Sequence, residues 1–249
     1  MIELPDAIAR LCETFAASEG AQAITIGGSR ATGTADATSD WDIGLYYRGR
    51  LDLDPLARYG EVHPPGAWGR IMNGGAWLSV EGLKVDVLLR DLDVEEHWTT
   101  QARQGLYEVD ALLGYLAGIP TYTLMAERAV SKPVKGHLPP SGDYPPALAA
   151  IGARRWSFHA RFTLDHARMR AARNDIIGTL GQAAKAVMET AHALACHNRI
   201  WILNEKHLLN AVSLPSLHSH FTSVPSSPMA LQSWIDSLRT TVESALPPP

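Results

Sequence analysis

The chain has 249 residues, 46% of them hydrophobic and 19% charged, with a formal net charge of -4. This composition excludes a disordered or fibrous chain, and the acidic balance lacks the basic footprint that duplex nucleic acid or an anionic membrane requires. Cys12 and Cys196 are the only thiols, too few for a disulfide framework, which fits a reducing cytoplasm.

The amino-terminal stretch carries Glu3 and Asp6 and no uninterrupted apolar core, so no secretory signal is expected there. No apolar run approaches the ~18 residues of a membrane span. Asp6 is placed to cap a first helix in which Ile8, Leu11, Cys12 and Phe15 recur at three- and four-residue spacing, with Gly20 as its stop. Ala21 to Ile26 then reads as a short buried strand, and a turn from Gly28 to Gly33 leads to a second strand near 41–47. In that strand Trp41, Ile43, Leu45 and Tyr47 share one face, while Asp42, Gly44 and Tyr46 share the other, with Asp40 just ahead. Residues 70–80 and 84–92 read as two further strands around the turn Glu81-Gly82-Leu83, an antiparallel pair. Helical pieces are expected over 91–120.

Residues 131–146 are rich in Pro and Gly and read as a linker between a domain at 1–130 and a helical domain at 147–249. In the latter, helical periodicity runs over 146–172 and 175–199, Ser227-Pro228 opens a last helix, and the Pro-rich tail is expected to fray. The fold class expected is α+β.

Asp40 and Asp42, at i and i+2, converge on one space if both lie on the strand, ~6.5–7 Å apart. Two ionised carboxylates at one site repel unless a cation compensates, and hard oxygen ligands suit magnesium, which binds through a few carboxylates plus substrate phosphates. The alternation of Val85, Val87 and Leu89 leaves Asp86 on the opposite face, a third carboxylate if that strand neighbours the first. Gly28 lets the backbone approach a ligand and Ser29 is a donor, which suits a phosphate chain. Magnesium between aspartates and a triphosphate implies nucleotidyl transfer, in which a hydroxyl attacks the α-phosphorus and pyrophosphate leaves.

The Gly28-Ser29 turn, a ten-residue spacer, Asp40-x-Asp42 and the later Asp86 resemble the DNA polymerase beta-type nucleotidyltransferase superfamily. The resemblance covers residues 24–89 and implies a mixed β-sheet with flanking helices. It also implies metal binding and catalysis by Asp40, Asp42 and Asp86. A small catalytic domain followed by helices is similar to aminoglycoside and lincosamide nucleotidyltransferases. That similarity implies ATP or another nucleoside triphosphate as substrate, a small-molecule hydroxyl as acceptor, and Lys206 directed at the triphosphate. Arg30 is a candidate phosphate donor or an exposed turn residue. Glu127, Asp175, Glu189 and Glu205 are all available as general base, and none is singled out.

Two alternatives accompany this reading: transfer to a protein or RNA, as toxin and antitoxin nucleotidyltransferases perform, and a non-catalytic nucleotide-binding module. His192 and Cys196, one helical turn apart, invite a zinc reading, but no second ligand pair accompanies them and helix packing is the expectation. Arg154 with His159 and Arg161 with His166 resemble the Arg-x4-6-His motif of HEPN ribonucleases, a spacing that arises by chance on a helix rich in both residues. Trp68 and Trp77 are assigned to core packing, with ring stacking on a base or acceptor as the other reading.

Overall fold

A computed structural model describes residues 2–36 and 38–248; Ala37, in the spacer before Asp40, and Pro249, in the tail, lie outside the described residues. The chain divides into two compact units, one of residues 1–100 with 124–143, the other of 101–123 with 144–249.

The first unit is built on a six-stranded sheet. Its strands are β1 (Ala21–Ile26), β2 (Trp41–Tyr47), β3 (Gly60–His63), β4 (Gly74–Val80) and β5 (Leu83–Asp91), with a sixth formed by Lys132–Gly136. Helices α1 (Asp6–Ala16), α2 (Gly28–Thr32), α3 (Asp54–Ala57), α4 (Gly69–Met72), α5 (Leu92–Arg103) and α6 (Thr123–Val130) connect or flank them. The strand order is β3-β4-β5-β2-β1 followed by 132–136, with β2 and β5 parallel and all other pairs antiparallel. The sheet is therefore mixed.

One face of this sheet carries the core. Ile24, Ile26, Ile43, Leu45, Val85, Val87 and Leu89 point to the same side and pack with Ile8, Leu11, Cys12 and Phe15 of α1. These four helix residues are essentially solvent-free, and burying side chains of this size contributes ~1.5–3 kcal/mol each. The helix starts differently from the expectation: Pro5 occupies the cap position, Asp6 is the first helical residue, and no side chain caps the end. Proline ahead of the first turn sets φ near -56° without needing a donor, and Asp6 lies where a carboxylate complements the helix dipole. Gly20, at φ +87°, serves the turn into β1 after the helix has ended at Ala16.

The β4–β5 hairpin has the two-residue loop Glu81-Gly82, both at positive φ, as a tight hairpin of matching twist requires. The short β3 was not legible in the sequence, because Gly60 and Glu61 are exposed and supply no apolar alternation. Residues 132–136, expected as linker, pair with β1 from Ala23↔Gly136 to Ile26↔Lys132. Pro133 is tolerated because the strand lies at the sheet edge, where one set of backbone groups has no neighbour.

The second unit holds two short strands, β6 (Val109–Asp110) and β7 (Ile119–Pro120); the 132–136 strand is β8 in chain order. Its helices are α7 (Pro146–Ala172), α8 (Ile176–His197), α9 (Leu208–Ala211) and α10 (Pro228–Ala245), with a 3-10 turn at Pro215–Phe221. The periodicity of 146–172 and 175–199 and the Ser227 cap are all present, the Ser227 hydroxyl accepting from Ala230 N. Helices α7 and α8 approach closely through small residues: a Cβ on Gly152 would meet Cys196 Sγ at 2.8 Å. Ion pairs Arg161–Glu243, Arg168–Asp236 and Arg239–Asp165 join α7 to α10. Among the described residues no helix is long and apolar enough to cross a membrane.

Candidate active site

The alternation of β2 settles which face each residue takes. Trp41, Ile43 and Leu45 are buried on the core side, which sends Asp42 to the opposite face, half-buried. Parallel pairing with β5 sets Asp42 directly beside Asp86, one strand spacing away, ~4.8 Å between backbones. Two carboxylates from distant parts of the sequence thus share one patch of the sheet.

Strand β1 delivers its end to the same patch. The Gly27 amide donates to the Asp42 carbonyl at 2.8 Å, continuing the β1–β2 ladder by one step. Gly28 follows at φ +57°, and a Cβ there would lie 1.8 Å from Asp42 Oδ2. Only glycine allows this turn to lie against the carboxylate. Ser29 comes next, in the first turn of α2.

Asp40 lies just ahead of β2, as the sequence sets it, whereas Arg30 is turned to backbone carbonyls and not to open solvent. Asp40 lies one residue before the strand begins, so the pleat that aims Asp42 does not extend to it. Among the described residues no group of three or more His, Cys, Asp or Glu gathers so as to hold a metal ion, and the pair that shares a register is Asp42 with Asp86. Arg30 donates through Nε to the Asp40 carbonyl at 3.1 Å and through a terminal nitrogen to the Ser39 carbonyl, and its guanidinium lies 4.1 Å from the centre of the Trp41 ring. Its donors tie Ser39 and Asp40 to α2. Within that loop Asp36 accepts from Thr38 and Ser39, which holds its carboxyl below the usual range.

The pair that does assemble fits magnesium by the chemistry of its donors. A magnesium ion keeps several waters and takes one or two protein carboxylates plus substrate phosphates, and the Gly28 turn provides close backbone approach beside Asp42.

Flanking Asp86 on its other side is Trp77 of β4, its direct cross-strand partner, which is 52% exposed. It belongs to a three-ring cluster, 5.5 Å from Trp68 and 4.5 Å edge-on from His63. Trp68 is seated over Gly75, where a Cβ would lie 2.4 Å from the indole. Core packing, the reading given to both tryptophans, describes Trp68 in part and not Trp77.

Further along the same face the sheet is dry. Arg90 of β5, 2% exposed, places Nε and a terminal nitrogen on the two Glu127 oxygens at 2.5 and 2.8 Å, and donates to the Met72 carbonyl at 2.8 Å. Arg128 pairs with buried Glu95, which also accepts from Thr99. Burial raises the Glu95 pKa, offset by Thr99 and Arg128; burial, reinforced by Glu127, raises Tyr46 beside them. These pairs were not legible beforehand, since nothing in an isolated Arg or Glu marks it as buried. Asn73, at φ +64°, ties α4 to the sheet by donating to Tyr47 Oη and the Leu89 carbonyl while accepting from Gly66 N.

The remaining candidates, all but Glu127 in the helical unit, mostly have local duties. Lys206 is exposed, its amide donating to Asn204 Oδ1. Glu205 accepts from the Leu116 and Ala117 amides, and Asp175 caps α8 through Gly178 N. Glu127, in the first unit, is held by Arg90. Glu189 is 2% exposed, 3.9 Å from Lys185, and burial raises its pKa. His192 and Cys196 are buried in helix packing: His192 stacks on Trp156 at 4.6 Å, and Cys196 lies 3.6 Å from Tyr122 Oη. Arg161 of the second Arg-x4-His spacing is paired with Glu243.

No family model and no curated protein matches the sequence. Among solved structures the chain is similar to a nucleotidyltransferase-like protein from Exiguobacterium sibiricum 255-15, at 12% identity and TM-score 0.39, covering 96% of this chain and 74% of that one. It is also similar to a CdnE cyclic dinucleotide synthase from Elizabethkingia meningoseptica with GTP and Apcpp, at 11% identity and TM-score 0.29, covering 97% of this chain and 93% of that one. The fold class itself is α+β: a mixed six-stranded sheet with flanking helices and a helical carboxyl-terminal region.

Proposed function

We propose that the chain is a magnesium-dependent nucleotidyltransferase that moves a nucleoside monophosphate, AMP from ATP, onto a hydroxyl of a small molecule, with an antibiotic-type acceptor among the candidates. The observation that carries this reading is the level pairing of Asp42 with Asp86 beside a glycine turn that no other residue fits. Two adjacent carboxylates next to a backbone capable of close approach suit a polyphosphate and its cation.

Asp42 and Asp86 would hold the metal, and Asp40 joins them through its place in the motif. Gly28 and Ser29 would orient the phosphates. When bound, magnesium supplies charge neutralisation at the α-phosphate and lowers the pKa of the attacking hydroxyl. The acceptor oxygen forms the new bond to the α-phosphorus, the bond to the β-phosphate bridge breaks, pyrophosphate departs, and the hydroxyl proton passes to solvent. Arg30, occupied by the 39–40 carbonyls, acts by fixing the loop that precedes Asp42. Lys206 enters on the resemblance alone, as a phosphate partner.

The test is incubation with magnesium and α-labelled ATP across a panel of hydroxyl acceptors, following pyrophosphate and labelled product. Transfer by the native chain, lost in Asp42→Asn and in Asp86→Asn, is the expected result. Equal transfer by native protein and both variants would overturn the assignment.

A further inference from the structure

We infer that the ring cluster on Trp77 is the acceptor subsite, and that the acceptor carries a planar ring beside its reactive hydroxyl; this rests on the nucleotidyl-transfer reading above. Asp42 on β2, Asp86 on β5 and Trp77 on β4 stand at one register across the sheet, and the Gly28 turn after β1 lies against Asp42 on the far side. Gly28 and Trp77 therefore flank the carboxylate pair from opposite sides. In a phosphoryl-group transfer the attacking and leaving oxygens lie roughly in line through phosphorus. With the β- and γ-phosphates at Gly28, the attacking oxygen comes from the side of Asp86 and Trp77. The ribose leaves the α-phosphorus off that axis, so the ring beside Trp77 is the acceptor's and not the nucleotide's.

Trp77 is built as a platform. Its strand neighbours Ala76 and Leu78 are buried at 0% and 5% exposure, while its own ring is half in solvent on the carboxylate face. It does not swing freely, because His63 meets it edge-on and Trp68 leans on it. Those two rings also contact each other at 5.0 Å, and Trp68 is fixed by the absent side chain of Gly75. A half-exposed indole held by two other rings is ready to stack a planar partner without first being ordered.

The experiment compares the full chain with Trp77→Ala and Trp77→Phe. The acceptors are uridine and tyrosinamide as planar compounds, and glycerol and a cyclitol as non-planar ones. Binding of the same four compounds without nucleotide is followed by ligand-observed NMR. Expected is binding of and transfer to the planar compounds. Acceptor KM should rise about tenfold in Trp77→Ala with the KM for ATP unchanged, and recover largely in Trp77→Phe. Transfer confined to non-planar acceptors, a shift in the KM for ATP instead, or no planar binding by the native chain would overturn the inference. Planar binding lost in Trp77→Ala without any pyrophosphate release would keep the ring subsite and reject the transferase.

Discussion

Asp42 and Asp86 stand at the same register of two parallel strands although they lie far apart in the sequence. Parallel neighbours need a long crossover, and here the crossover includes β3, α4 and β4, so the strand that carries Trp77 is also the route by which Asp86 returns to Asp42. Replacing either carboxylate by asparagine keeps shape and removes charge. Transfer is expected to fall at least about 100-fold, with the thermal midpoint held within a few degrees. Steady-state pyrophosphate release and a melting curve on each variant check this.

Gly28→Ala combines positive φ with a methyl aimed at Asp42 Oδ2. The substitution is expected to destabilise the chain by about 1–2 kcal/mol and to weaken ATP binding more than Gly33→Ala, where a Cβ meets nothing within 4 Å despite its positive φ. Urea unfolding and nucleotide titration of the two variants separate strain from loss of the cradle.

Glu127→Ala leaves the Arg90 guanidinium buried without its carboxylate. A cost of about 3–5 kcal/mol is expected, against a smaller one for Glu127→Gln, which retains an acceptor. The comparison by thermal unfolding also tests Glu127 as a general base, since a structural role predicts that residual activity follows the folded fraction.

His192 is fully buried against Trp156, neither ring nitrogen has a hydrogen-bond partner among the described residues, and burial pushes its pKa down to about 4. The native ring stays neutral while the unfolded ring takes a proton below its ordinary 6.5. Its contribution is intact above pH 6.5 and lost as pH falls toward 4, by about 3 kcal/mol. Urea unfolding from pH 7 to pH 4 should show this loss, and His192→Phe should flatten that part of the profile relative to the native chain.

Much of this was legible in residues 21–47 and 83–91, because alternating apolar positions on a buried sheet assign faces unambiguously, and the face left over contains Asp42 and Asp86. The long helices were equally readable from their periodicity. Other features were not, beyond the short β3 and the buried ion pairs. Asp40, legible as lying just ahead of β2, has a side-chain direction that the strand's alternation does not set. Arg30, read as a phosphate donor or an exposed turn residue, is engaged by two carbonyls and a ring. The 132–136 strand was hidden by Pro133 and Gly136, residues that punctuate loops but are equally at home on a sheet edge.

That edge strand has a bearing on how the polypeptide is dissected. Because 132–136 zips onto β1 only after the chain has left this unit at residue 100 and come back at 124, no single cut releases the unit free of 101–123. A fragment ending at 130 would bare the backbone of Ala23 to Ile26 as a sticky apolar border prone to self-association. An excision of 101–123 with a bridge, stopping at 143, keeps every strand of the six-stranded sheet paired as in the parent.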